Sequence, residues 1–279
     1  MKFDFGRHSL DLSYPHVMGI LNITPDSFSD GGLLYVDGRP ALDTILARAS
    51  SMLNDGATLL DVGGESTRPG ADKVSSQEEC DRVLPVVEAL SARFNTVISV
   101  DTSNPVLMRQ SADAGAGLIN DVRALTVPGA LEAVSEANLP ACLMHMQGQP
   151  GTMQAAVAYE SVVDEVADFF RERIGACREA GIDTLLLDPG IGFGKRDEHN
   201  ITLLRKLARF DEFALPLLVG VSRKSFIGRL MGCSVGERLP ASLAFAYASM
   251  QNGAKILRVH DVRETRDVVE AFKLMKCLD

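Results

Sequence analysis

The feature that most constrains this chain is a unit that returns eight times: a short apolar or β-rich run, followed in most cases by a stretch of helical periodicity. The runs occupy residues 17–21, 58–62, 96–100, 117–119, 141–144, 184–187, 217–221 and 255–259. Helical spacing appears between them at 41–53, 78–93, 106–114, 159–180 and 241–251. Several of these helices leave through glycine, at Gly56, Gly115 and Gly181, as helix C-termini commonly do. Strand, helix and return, repeated without a Pro/Ser-rich linker, predict an α/β chain with a parallel sheet in one domain spanning 1–279. Eight units favour a single closed (β/α)8 TIM barrel. The competing architecture is an open doubly wound sheet, but the Gly-x-Gly-x-x-Gly turn after the first strand is missing. Residues 2–5 and 9–12 alternate around Gly6, which predicts a short N-terminal β-hairpin before the barrel.

Of the 279 residues 46% are hydrophobic and 23% charged, enough apolar material for a sizeable core. The net charge of -9 argues against a general nucleic-acid or anionic-membrane surface, since both are polyanions. Five scattered cysteines, an odd number with no Cys-x-x-Cys pair, suit a reducing compartment. The charged opening residues lack the apolar centre of a signal peptide, and no run is long enough to cross a bilayer. The expectation is a cytoplasmic protein.

The apolar runs end in groups that can hydrogen-bond, titrate or bind a cation. In order these are Asn22, Asp61 with Glu65, Asp101, Asn120 with Asp121, His145, Asp188, Ser222 with Lys224, and His260. In a barrel all strand C-termini share one face, where active sites are built. Polar strand ends near water are ordinary, but the longer motifs around them are harder to explain that way.

The stretch from Met18 to Gly32 joins two turn signals into a long loop that could act as a lid, and Asn22 in it offers a neutral oxygen to a hard cation such as Mg2+. Glycines and Arg68 in the stretch 61–70 suit capture of an anion, although surface turns share that composition. Asp101, Asn120 and Asp188 would satisfy the in-plane N–H donors of a flat heterocycle, whereas Asp121 points the other way and reads as structural. Lys224, Arg258 and His260 would place cationic donors near strands seven and eight, a frequent phosphate site in barrels. No Ser-His-Asp order, reactive cysteine or histidine-rich cluster appears, and isolated His145 reads as packed. Displacement with a stabilised leaving group fits better than covalent catalysis.

These motifs resemble the dihydropteroate synthase family over nearly the whole chain. The resemblance rests on the stretch from Met18 to Gly32, Gly-Gly-Glu-Ser-Thr-Arg-Pro-Gly from Gly63, Asp-Pro-Gly-Ile-Gly-Phe-Gly-Lys from Asp188, Ser-Arg-Lys-Ser from Ser222 and Arg-Val-His-Asp-Val from Arg258. It implies condensation of 6-hydroxymethyl-7,8-dihydropterin diphosphate with 4-aminobenzoate, assisted by Mg2+, in a homodimeric barrel for which sulfonamides, as aminobenzoate mimics, are expected ligands. Carried over by motif, Asp101, Asn120, Asp188 and Lys224 would bind the pterin, with Met144 and Gly220 beside it. Arg258 would stack on the ring and reach the diphosphate, with His260, Asn22, Thr67 and Arg68. The aminobenzoate would meet Thr67, Lys224 and Ser225, walled by Phe28, Pro69 and Phe193. Asn22, Thr67, Arg68, Lys224, Arg258 and His260 are the candidate catalytic set, Asn22 also the metal contact, and Asp30 would pair with Arg68 as the loops close. Pro240-Ala241 before Ser242 departs from the family, whose members often carry glycine there.

Two other readings remain. A methyltransferase domain on a pterin-binding barrel would share Asp101, Asn120 and Asp188 but has no use for diphosphate donors. A non-catalytic barrel could bind a pterin as a regulator.

Overall fold

The computed structural model describes residues 1–24, 34–36, 39–66, 74–148, 151–154 and 157–277. A hairpin of β1 (Lys2–Phe5) and β2 (His8–Asp11) comes first, then β3 (His16–Asn22) and a small ribbon of β4 (Tyr35–Val36) and β5 (Arg39–Pro40). The remaining strands are β6 (Leu59–Gly63), β7 (Val97–Asp101), β8 (Leu118–Asp121), β9 (Ala141–Met144), β10 (Leu185–Asp188), β11 (Leu217–Val219) and β12 (Ala254–Val259). β3 and β6 to β12 pair in chain order, all parallel, and β12 closes onto β3 through Leu257 beside Val17. The predicted eight-stranded barrel and its N-terminal hairpin are both present.

The helices are α1 (Leu42–Asn54), α2 (Ser76–Arg93), α3 (Pro105–Ala114), α4 (Ala130–Ala137), α5 (Val162–Glu179), α6 (Asp197–Arg205), α7 (Ser225–Met231), α8 (Leu239–Gln251) and α9 (Val262–Cys277). Their starts follow local chemistry. Ser75 accepts the Glu78 amide at 3.2 Å to open α2. At α3, Asn104 accepts from the Val106 amide at 3.0 Å and Pro105, needing no donor, takes the first turn. Gly115, at φ +103°, ends that helix.

Strand alternation divides the apolar residues into two cores. Val17, Leu60, Ile98, Ile119 and Leu143 face outward and pack with the helices. Met18, Leu59, Val97, Leu118, Cys142, Leu186, Leu218 and Ile256 face inward and cluster with Phe5 and Leu12 of the hairpin, both fully buried. The hairpin therefore stops the N-terminal end of the barrel. Its approach is close: a Cβ on Gly117 would lie 2.7 Å from the Phe5 carbonyl oxygen, so only glycine fits there. Two residues further along the strands, the inward positions are Ile20, Asp61, Ser99, Asn120, Met144, Asp188, Gly220 and Arg258, five of them polar or charged. The interior thus changes from apolar floor to polar upper layer within one strand repeat. Among the described residues no helix is long and apolar enough to cross a membrane.

Candidate active site

At the centre of the polar layer the Arg258 guanidinium donates from Nε to Asp61 Oδ2 at 2.5 Å and from Nη2 to Asp101 Oδ2 at 2.8 Å. Asp61 is fully buried, so its charge needs this partner. Asn120 Nδ2 adds a weaker contact to Asp61 Oδ2 at 3.3 Å. Burial raises the Asp101 carboxyl above its ordinary value, against the pull of Arg258. Burial would also pull Arg258 down, but Asp61 and Asp101 outweigh it and hold the guanidinium above its usual range.

Asp188, buried at the end of β10, accepts the Gly190 amide at 2.8 Å, and burial raises its carboxyl. Met144 stands beside it in register. Across the opening, burial pushes Lys224 down to about 8 against the attraction of Asp188, and its ammonium sits 4.2 Å from the centre of the Phe193 ring. A Cβ on Gly220 would meet nothing within 4 Å, so the wall beside these groups is open.

The turn from β11 to α7 carries Lys224 and exposed Ser225, and it hinges on Arg223 at φ +52°. That conformation is costly for a residue with a side chain. It is held by a two-point pair with Asp261 at 2.9 and 2.5 Å, by the Arg223 amide on Ser242 Oγ at 3.0 Å, and by Arg238 on the Arg223 carbonyl at 3.1 Å. Pro240 and Ala241 lie in the first turns of α8, away from the strand ends.

His260 differs from expectation. Its Nδ1 lies 3.1 Å from Ser222 Oγ, which also accepts the His260 amide at 3.2 Å. Burial, with Arg258 nearby, holds the imidazole at about 4, so near neutral pH it is a neutral donor rather than a cation. Asn22, half-buried, ends β3 in register with Gly63. Among the described residues no group of three or more His, Cys, Asp or Glu could hold a metal ion, so an ion near Asn22 would draw most of its ligands from water and substrate. Phe28, Asp30, Thr67, Arg68 and Pro69 lie outside the described residues.

The 189–195 segment is seated on the segment after β9 by glycines. A Cβ on Gly190, at φ +67°, would fall 1.9 Å from the His145 carbonyl oxygen, and Tyr159 donates to the Gly194 carbonyl at 2.9 Å. Beneath it, fully buried Lys195 contacts His145 and the Phe193 carbonyl. His145 is packed, as expected, against Phe169 at 4.9 Å between ring centres. Asp121 is structural as expected: it accepts the Arg123 and Leu125 amides at 2.8 and 2.7 Å and the Ser103 hydroxyl.

Asp61, Ser222 and Lys195 stand in the quoted motifs, but the sequence alone gave them no task. Asp61 carried a usable signal, an acid between Leu60 and Val62 in an apolar run. Chemically the layer offers carboxylate and amide acceptors beside the cations Arg258 and Lys224. It offers no thiolate, since burial and then Asp188 raise Cys142 well above its ordinary value.

The family profile described as pterin binding enzyme matches residues 18–260. Dihydropteroate synthase of Escherichia coli strain K12 is 57% identical over 278 residues, covering 99% of this chain and 96% of that protein. The crystal structure of Yersinia pestis dihydropteroate synthase with a sulfonamide drug complex superposes with a TM-score of 0.95 at 51% identity, covering 99% of this chain and all of that one. Xanthomonas albilineans dihydropteroate synthase with 4-aminobenzoic acid gives 0.90 at 45% identity, covering 99% of this chain and 98% of that one.

Proposed function

The chain belongs to the pterin binding enzyme family and, within it, to the dihydropteroate synthases, which are transferases; from that premise we propose its substrates and the work of each residue. It joins 6-hydroxymethyl-7,8-dihydropterin diphosphate to 4-aminobenzoate, giving 7,8-dihydropteroate and diphosphate. The observation that carries this reading is the polar layer at the strand ends. It offers carboxylate and amide acceptors at Asp101, Asn120 and Asp188, Arg258 in the same layer bonded to Asp101, and Lys224 and neutral His260 just past the ends of β11 and β12.

Asp101, Asn120 and Asp188 take the N–H edge of the pterin, with Met144 and Gly220 as its walls. Arg258 faces the ring and the diphosphate, which His260 meets through a neutral N–H. Lys224, Ser225 and Phe193 form the aminobenzoate side together with Phe28, Thr67 and Pro69. Arg68 is assigned to the diphosphate and, on closure, to Asp30. The donor set fits Mg2+ held by Asn22 and diphosphate oxygens, where the ion would neutralise leaving-group charge.

Raised Cys142 and, among the described residues, no side chain assigned as base to the amine favour departure of diphosphate ahead of amine attack. Detection of a covalent pterin adduct on the enzyme during turnover would overturn that order. Two further features belong to the reading. Exposed Leu230, Met231, Val235, Leu274 and Met275 sit on elements around α8 and suit a homodimer face. Buried free Cys80, Cys142 and Cys177 suit the cytoplasm.

The test is diphosphate release by the purified chain with Mg2+. Release that requires both substrates, inhibited by a sulfonamide in competition with aminobenzoate, supports the reading. Properly folded protein that releases none defeats it.

A further inference from the structure

Lys195 is a buried amine the chemistry above does not use. It is fully buried, and among the described residues no carboxylate lies within ion-pair distance of it. Its three N–H bonds have three acceptors: His145 Nδ1 at 2.9 Å, the His145 carbonyl oxygen at 3.2 Å and the Phe193 carbonyl oxygen at 2.9 Å. Burying such a group is costly, and an apolar side chain of the same length would fill the space more cheaply. Two of its acceptors belong to the end of β9 and the third to the residue whose ring lies under the Lys224 ammonium. The 190–194 glycines leave this segment little stiffness of its own, so the position of Phe193 depends on what grips its backbone.

We propose that Lys195 is a positioning residue that ties the Phe193 backbone to His145 and thereby sets the aromatic wall against which the arylamine substrate lies. The proposal rests on the functional reading above. It weights the effect toward the arylamine half of the site, because the pterin acceptors Asp101 and Asn120 lie on other strands and Asp188, which also faces Lys195, keeps its bond from the Gly190 amide.

The groups facing Lys195 are His145 from β9, Asp188 from β10 and Lys224 from the start of α7. Burial holds Lys195 at about 7 and His145 at about 2, so His145 is a neutral acceptor. A methionine cannot donate to it.

The experiment is Lys195→Met in the full chain, with steady-state kinetics for aminobenzoate and calorimetric binding of the pterin diphosphate. The expected result is an aminobenzoate KM raised about tenfold or more with pterin binding changed less than about threefold. An unchanged aminobenzoate KM, or equal weakening toward both substrates, overturns the proposal. Should Lys195→Met fail to fold, His145→Ala and His145→Asn replace it. His145→Ala is expected to raise the aminobenzoate KM and His145→Asn, with its amide oxygen near the Nδ1 position, to restore it; identical behaviour of the two overturns the proposal. Wild-type protein that makes no dihydropteroate defeats the functional reading instead, so the two failures are distinguishable.

Discussion

Asp61 and Asp101 share one guanidinium, and its charge opposes the burial that raises the Asp101 carboxyl. Lysine keeps the charge of Arg258 but cannot bridge two acceptors in one plane. Arg258→Lys is expected to lower kcat/KM by about 100-fold or more, because orientation as well as charge is lost. Arg258→Met leaves buried Asp61 unpaired and is expected to cost about 3–5 kcal/mol in urea unfolding. A Met variant as stable as wild type would show that this pair adds nothing to the stability of the fold. Histidine sets a second measurable effect. The unfolded chain protonates His260 near 6.5 but the folded chain only near 4. In that window the unfolded state binds more protons, so this contribution to stability is complete above about 6.5 and is lost as pH falls toward 4. Raised carboxyls such as Asp188 act with the opposite sign, so the clean measurement is a difference. His260→Gln should lose less melting temperature than wild type between pH 6.5 and 4; parallel curves would contradict the burial argument.

The β10–α6 connection shows how far single elements are governed by backbone space. Gly190→Ala adds a Cβ to a left-handed residue 1.9 Å from a carbonyl oxygen, and the clash is with backbone that cannot swing aside. The expected outcome is a loss of about 3 kcal/mol or more, or insoluble protein, against little change for Gly175→Ala, where nothing lies within 4 Å. The eight barrel strands were legible in the sequence because a strand buried on both faces must be an apolar run, and their boundaries shifted by only a few residues. Helices α2 and α5 were legible through their long one-sided stripes. No stretch of the sequence was read as α4, α6, α7 or α9, or as the β4–β5 ribbon; α7, at seven residues, and the ribbon are too short to display a period, whereas α9, at 16 residues, is long enough to show one. At the site, Asp101, Asn120, Asp188 and Arg258 were legible as polar interruptions of apolar runs. The neutral state of His260 was not, because it depends first on burial, which only the packed barrel supplies, and only then on Arg258 two residues away.

At the scale of the molecule, exposed Leu230, Met231, Val235, Leu274 and Met275 give an expectation about assembly. Sedimentation should find a dimer, and a Leu274→Glu, Met275→Glu double variant should move it toward monomer while each folded copy keeps its pterin affinity. A wild-type monomer would assign that surface to something else. The hairpin that stops the barrel has a consequence for traffic. With Phe5 and Leu12 corking one end, a molecule bound among the inward strand ends has to come and go by the other. If the pterin diphosphate lies on Asn120 and Asp188 and the arylamine on Phe193, as proposed, the deeper guest is expected to arrive before the shallower one. That queue, pterin diphosphate first and arylamine second, would be written into the floor of the barrel rather than into any residue that touches a substrate.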